Sequence, residues 1–474
     1  MSTTDSTQGA AAAPLPRKSS NTAPLSFIEK VGYGSGDMAS QFYMGFFNIF
    51  LLYYYVDVWG VSPTGVATMF LVTKVIDAIS DPAMGIIADR TESRWGKYRP
   101  YLLWGAVPYA ALGYLLFLGP DFPSTGKLIF AYVSYSLIML GYTLINVPYS
   151  ALLAVISPLS AERTKATQYR FVMASMGTII IGATAKPLVD WIGGGDELLG
   201  FRGAVLVFAT LTVFLFLFTF FTTTERVRPK KHETSIKEDL AVLRNNKSWI
   251  ILAICSILIV VGLVARISST AFFTKYNMSL GSEKALWWME STTLIITGGF
   301  VAQLLGALVT PSLLKWFDKR QLMIGSNLLF AASIFATYMI PPTQYLPTLL
   351  LYAVGIFAFG IIITLIFSMY TDCAEYGEWV SGHNSAGLTV SASMFALKFG
   401  SAVGSAVPGF VLGYYGFVKD QQQTEQALSG IGMMWNVIPA FFFLAAALLM
   451  VFYKLDGETM DKVEADLLER RGES

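Results

Sequence analysis

Residues 74–82 read KVIDAISDP, and they interrupt a run from Val66 to Ala88 that otherwise has the composition of a segment buried in lipid. Lys74, Asp77 and Asp81 stand at i, i+3 and i+7, a spacing that puts all three on one face of a helix as a charged stripe about two turns long. Two carboxylates one turn apart in a low-dielectric setting repel each other, so at least one must share a proton, bind a cation or pair with a nearby base. That is the chemistry of a coupling-cation site. A plainer arrangement is also open to these residues: Lys74 and Asp77 neutralise each other, while Asp81, followed by Pro82, satisfies backbone at a helix irregularity.

Other charges stand where lipid makes them expensive, at about 2.5–3.5 kcal/mol each at the bilayer centre. They are Asp37, Arg170, Lys186, Arg266, Asp372 and Lys398. Such residues face a protein interior or a water-filled cavity. In GYTLINVPYSAL, residues 141–152, Thr143 and Asn146 share a helix face and Pro148 frees a backbone carbonyl for a cation or side chain. Ser, Thr and Asn also join transmembrane helices by hydrogen bonding, which is the simpler use of these groups.

The elements that must position these residues are apolar helices. The chain of 474 residues is 54% hydrophobic and 14% charged, with a mean hydropathy of +0.54. A helix needs about 20 mostly apolar residues to cross the hydrocarbon core. Runs of that kind lie at roughly 28–57, 64–88, 100–119, 128–153, 169–192, 203–222, 248–275, 286–314, 321–340, 346–371, 386–415 and 431–453. The expected fold is therefore an all-α membrane protein with twelve transmembrane helices in two six-helix halves. The segments are a disordered cytoplasmic tail (1–27), an N-terminal bundle (28–222), a linker (223–247), a C-terminal bundle (248–453) and a cytoplasmic tail (454–474). Within the linker, SIKEDLAVLRNN reads as a short amphipathic surface helix. Lys and Arg gather in the loops after even-numbered spans, which by the positive-inside rule puts both termini in the cytoplasm. These basic residues need no nucleic acid to explain them. Cys255 and Cys373 fall in different spans and suggest neither a disulfide nor a metal site. Two six-span halves joined by a cytoplasmic loop are the layout of major-facilitator transporters, whose substrate lies between the halves.

The chain resembles the glycoside-pentoside-hexuronide:cation symporters, the family of the melibiose permease. The matching stretches are GYGSGDMAS, LYYYVDVWG, DAISDPAMGIIADRTESRWGKYRP, YTLINVPYSAL, YRFVMAS, TDCAEYGEW and LKFGSAVGSAVPG, in family order. The resemblance implies a major-facilitator fold and sugar–cation symport, with Asp77, Asp81 and Thr143 at the cation and Asp37 and Arg170 on sugar hydroxyls. Lys398 matches the family lysine that lies close to both sites, and with Lys74 it is the expected charge partner of the coupling carboxylates. Asn146 stands where the melibiose permease has an aspartate, which implies the pentoside, xyloside and glucuronide branch and a proton rather than sodium. The alternative is a sodium-coupled galactoside symporter, since an amide oxygen also ligates sodium.

A sugar also wants aromatic faces, and Tyr142 and Tyr149 are the candidates, with plain packing the competing use of each. Asp372, Glu375 and Glu378 at the end of the tenth span are expected either as a gate paired with Arg94 or Arg99, or as a solvated acidic loop. No cofactor is expected beyond the coupling ion, and the expected partners are a sugar or glycoside, a monovalent cation and the bilayer, with the chain monomeric in the inner (plasma) membrane. Two rivals remain: a membrane enzyme, for which His232 and His383 fall in loops and no nucleophile–base pair is evident, and a sensor that binds sugar without moving it.

Overall fold

The computed structural model describes residues 24–471 except 228–242, 279–283, 287–288, 383–385, 420 and 456. The tail before residue 24, the proposed surface helix up to residue 242, and His232 and His383 lie outside the described residues.

Long helices cover the predicted spans. In the first half they are α1 (Phe27–Phe46), α2 (Pro63–Arg90), α3 (Arg99–Leu116), α4 (Ser124–Ile156), α5 (Ser160–Gly193) and α6 (Glu197–Thr222). In the second they are α7 (Lys247–Phe272), α8 (Ser291–Leu313), α9 (Lys319–Met339), α10 (Tyr345–Ser381), α11 (Ala386–Tyr414) and α12 (Glu425–Met450); α13 (Gly457–Arg471) follows them. Nine of the described helices are long and apolar enough to cross a membrane. The other three predicted spans coincide with α1, α2 and α3, which are helical but diluted by glycines, the charged stripe and Arg99 respectively. Between α7 and α8 a two-stranded ribbon, β1 (Lys284–Leu286) and β2 (Met289–Glu290), departs from the all-helical expectation. Large apolar side chains such as Phe214, Phe441 and Leu448 stand about two-thirds exposed, which suits a surface solvated by lipid rather than water.

The helices before the linker pack mainly on one another, α1 on α5 and α6 and α4 on α2 and α3. Those after it do the same, α7 against α11 and α12 and α10 against α8 and α9. The halves meet along seams where α2 packs on α11, where α5 packs on α8, and where the π-turn Phe47–Leu51 that follows α1 packs on α7. Glycine permits the first seam: a Cβ at Gly409 would lie 2.7 Å from the Pro63 carbonyl oxygen, closer than packed atoms approach.

The two ends of the bundle are fastened differently. At the linker end, the bonds pin neighbouring helices within a half. Glu162 accepts the Leu25 N–H at 3.1 Å and pairs with Lys30 and Lys165, fixing the start of α1 to α5. Its carboxyl is held down at about 2, chiefly by the hydrogen bond from Lys165. At the opposite, distal end, α1 and α7 both continue as π-turns, Tyr54–Val58 and Phe273–Asn277. These turns face each other across the halves. Asp57 pairs with Lys275 and accepts the Tyr276 hydroxyl, and Lys419 donates to the Val58 carbonyl at 2.5 Å.

Candidate functional site

The charged stripe of α2 forms as the spacing requires, and each carboxylate has its own lysine. Lys74 bonds Asp77 at 2.6 Å from one turn before it on the same helix. Asp81 accepts the Thr143 hydroxyl at 2.8 Å from α4 and pairs with Lys398 of α11. Ser80 lies 3.5 Å from the Thr143 hydroxyl and completes a small polar cluster between α2 and α4. The four charges Lys74, Asp77, Asp81 and Lys398 sum to zero, so two ammonium groups balance two carboxylates between walls of low dielectric. Of the arrangements open to the sequence, pairing with a base is the one this conformation holds. One of those bases belongs to the other half.

Asp37 and Arg170 pair with each other, Nε to Oδ2 at 3.1 Å between α1 and α5. Asp37 is 8% exposed, and its partner needs support to remain beside it. Tyr149 provides that support rather than a sugar face: its ring is fully buried, stacks on Tyr33 at 5.0 Å and lies 5.1 Å from the Arg170 guanidinium. Its hydroxyl donates to the Tyr33 carbonyl at 2.6 Å. An aromatic ring enclosed in this way serves packing in this conformation, the competing use the sequence leaves open for Tyr149. Tyr142 is half-buried on α4, 6.5 Å from Tyr109 between ring centroids.

Asn146 receives the Ser150 hydroxyl at 3.4 Å, and among the described residues no hydrogen bond joins it to Asp77 or Asp81. The expected gate is likewise not assembled. Arg94 lies 4.1 Å over the ring of Trp95. Arg99 donates to the Phe220 carbonyl at 2.7 Å and the Trp95 carbonyl at 3.3 Å, while its backbone N–H goes to Glu225. The last carbonyls of α6 carry the partial negative charge of a helix end and hold that guanidinium. Asp372 pairs with Lys319 of its own half at 2.7 Å, and Glu375 and Glu378 follow it on α10, half-buried.

A cavity of about 560 Å³ opens between α1 and α5 on one side and α8 and α10 on the other; Asp37 and Arg170 do not line it but lie one turn or less from residues that do. Gln41, one turn beyond Asp37, lines it, as do Ala174 and Thr178, one and two turns beyond Arg170. The second half contributes Gln303, Thr364, Phe300 and Phe367. Amides, a hydroxyl and aromatic edges converging on one cavity are the donor, acceptor and C–H surfaces a sugar needs. Sequence reasoning missed the contribution of the second half because an uncharged Gln or Phe in an apolar helix gives no signal. Helix α4 links the two regions, since Thr143 touches the carboxylates and Tyr149, less than two turns on, backs Arg170.

The remaining intramembrane charges lie elsewhere. Arg266 is fully buried in the second half, 4.6 Å from the ring of Trp435 and 5.0 Å from that of Tyr352. Lys186 pairs with Asp190 near the distal end.

Residues 32–457 match the family model described as MFS/sugar transport protein. The chain is 34% identical over 458 residues to the putative glycoside/cation symporter YagG of Escherichia coli (strain K12), covering 94% of this chain and 96% of that one. It is 32% identical over 460 residues to the isoprimeverose transporter of Lactiplantibacillus pentosus, covering 96% and 93%. Its fold is similar to the crystal structure of the nucleoside transporter NupG, with a TM-score of 0.63 at 16% identity over 90% of this chain and 100% of that one.

Proposed function

The chain belongs to the MFS/sugar transport family, membrane transporters rather than enzymes, and from that premise we propose that it imports a glycoside by cation-coupled symport. The observation that carries this reading is the bond from Lys398 to Asp81, because it makes the charge of the carboxylate pair part of the contact between the halves. A cation arriving at Asp77 and Asp81 competes with the two ammonium groups for the same oxygens. Its binding releases Lys398, and with it one tie across the α2–α11 seam, so occupancy and the relative position of the halves are coupled. The sugar binds in the cavity beside Asp37 and Arg170, whose carboxylate and guanidinium form charge-assisted hydrogen bonds to vicinal hydroxyls.

A proton is the coupling ion in this reading. A proton needs only one carboxylate oxygen, left when its lysine is displaced, whereas sodium wants several hard oxygens, and among the described residues the Asn146 amide makes no hydrogen bond to this pair. The similarity to an isoprimeverose transporter and to a putative glycoside/cation symporter supports a glycoside of the xyloside type. Both termini lie in the cytoplasm and the distal end faces outward, so the conformation described has its outer end drawn together. Counterflow of labelled xylosides, glucuronides and galactosides across right-side-out vesicles tests the assignment. Exchange of at least one of them identifies a carrier, while binding without exchange makes the protein a sensor.

A further inference from the structure

The distal mouth holds a second cavity, of about 330 Å³, which the cation and sugar sites do not use. It lies between α1, α5 and α6 of one half and α7 and α8 of the other, and its volume is that of a ligand pocket rather than a surface dimple. Phe50, Tyr53, Lys186, Asp190, Glu197 and Lys275 line it. Lys186 thereby finds a place that its position in the fifth span did not explain.

A chain of polar contacts runs along the wall. Lys186 pairs with Asp190 and comes within 3.6 Å of Glu197. Glu197 accepts the Tyr53 hydroxyl at 3.1 Å, and that hydroxyl accepts the Lys275 ammonium at 3.0 Å. Lys275 alone in this chain belongs to the second half, so the distal end parts only if its bonds are replaced. In the same wall, Oδ2 of Asp190 is enclosed by protein and accepts no hydrogen bond among the described residues.

We propose that this cavity is a capture site for neutral glycosides, whose hydroxyls take over the bonds among Glu197, Tyr53 and Lys275 and so loosen one part of the distal contact, while Asp57 still holds Lys275 and Tyr276. The proposal rests on the symport reading above. A polyhydroxylated ligand supplies both donors and acceptors, so it replaces each broken bond at little net cost, and the affinity is correspondingly low. Phe50 and Tyr53 give the C–H face of a sugar ring an apolar wall. Charge selects against an acidic sugar. Both lysines are already neutralised, and Asp196 adds a further carboxylate to the lining, so a uronate would meet uncompensated negative charge.

The test titrates the purified full chain in lipid nanodiscs with radiolabelled methyl β-xyloside. Two classes of site are expected: a tight one that Asp37→Ala removes, and a weak one that survives in that variant. Glu197→Gln and Asp190→Asn should each weaken the weak class by about tenfold or more, the loss of roughly one hydrogen bond to a charged group, and leave the tight class unchanged. Methyl β-glucuronide should fail to compete for the weak class. A single class that disappears altogether in Asp37→Ala overturns the proposal while leaving symport intact. Both substitutions weakening both classes together also overturns it, since the chain then only holds the fold. Failure of the symport reading appears differently, as absent counterflow with both classes present.

Discussion

Two lysines reach across the halves to an aspartate, and their surroundings are opposite. Asp81 and Lys398 have side chains 26% and 42% exposed, with a second carboxylate, Asp77, one turn away. Asp57 is 0% exposed, and it holds Lys275 and the Tyr276 hydroxyl together. A half-exposed pair contributes about 0–1 kcal/mol. In the second bridge Lys275 is 37% exposed but the Asp57 carboxylate is enclosed, so removing its partners leaves a desolvated charge and costs more. The first bridge is therefore cheap to exchange for a small cation. The second behaves as a lock, which yields only when the whole distal end is rearranged. A transporter needs both kinds, since an ion must be able to break one bridge without opening both ends at once.

The largest expected effect comes from the exchangeable bridge. Asp77→Asn or Asp81→Asn should abolish uphill accumulation of sugar, measured as uptake under an imposed ion gradient, while exchange down a gradient persists. Either variant accumulating sugar at the wild-type level removes that residue from coupling. Next in size are Asp37→Ala and Arg170→Ala, each of which should weaken sugar binding roughly 100-fold, or about 2.7 kcal/mol, by leaving a desolvated charge without its partner. Unchanged affinity in Asp37→Ala would place the sugar elsewhere.

A smaller effect separates the two bridges directly. In an Ala271→Cys background, whose new thiol lines the distal cavity while Cys255 and Cys373 are buried, Asp57→Asn should speed maleimide labelling about tenfold. Lys398→Met should not. Equal acceleration by both would erase the distinction between lock and exchangeable bridge. The smallest effect belongs to the linker end. Because the Glu162 carboxyl titrates at about 2 in the folded chain against about 4.3 in an unfolded one, its contribution is complete above pH 4.3 and fades as pH falls toward 2. The lower Tm of Glu162→Gln should thus differ from the native value equally at pH 5 and pH 7, and the difference should shrink below pH 4.

What was legible in the sequence follows from the same contrast. Asp77, Asp81 and Lys398 stand out because a charge within an apolar run is costly, and the helical period then brings the α2 residues to one face. Asp57 and Lys275 sit at the ends of their spans, where a charge is cheap, and they are 218 positions apart, so nothing in the pattern pairs them. The π-turns that aim them at each other have no periodic signature either. The contacts of Arg99 are hidden for a related reason, since its guanidinium donates to backbone carbonyls, which every sequence contains. Tyr149 is similar: spacing gives its helix, and only packing shows its ring against Tyr33 and the Arg170 guanidinium.

The central claim is that a proton at the Asp77–Asp81 pair drives glycoside uptake. Its most direct measurement uses sodium-free right-side-out vesicles carrying the full chain, with an imposed pH gradient, acid outside. The account predicts concentrative sugar uptake that a protonophore collapses and that Asp77→Asn lacks. Uptake that appears only when sodium is added, and survives the protonophore, would contradict it.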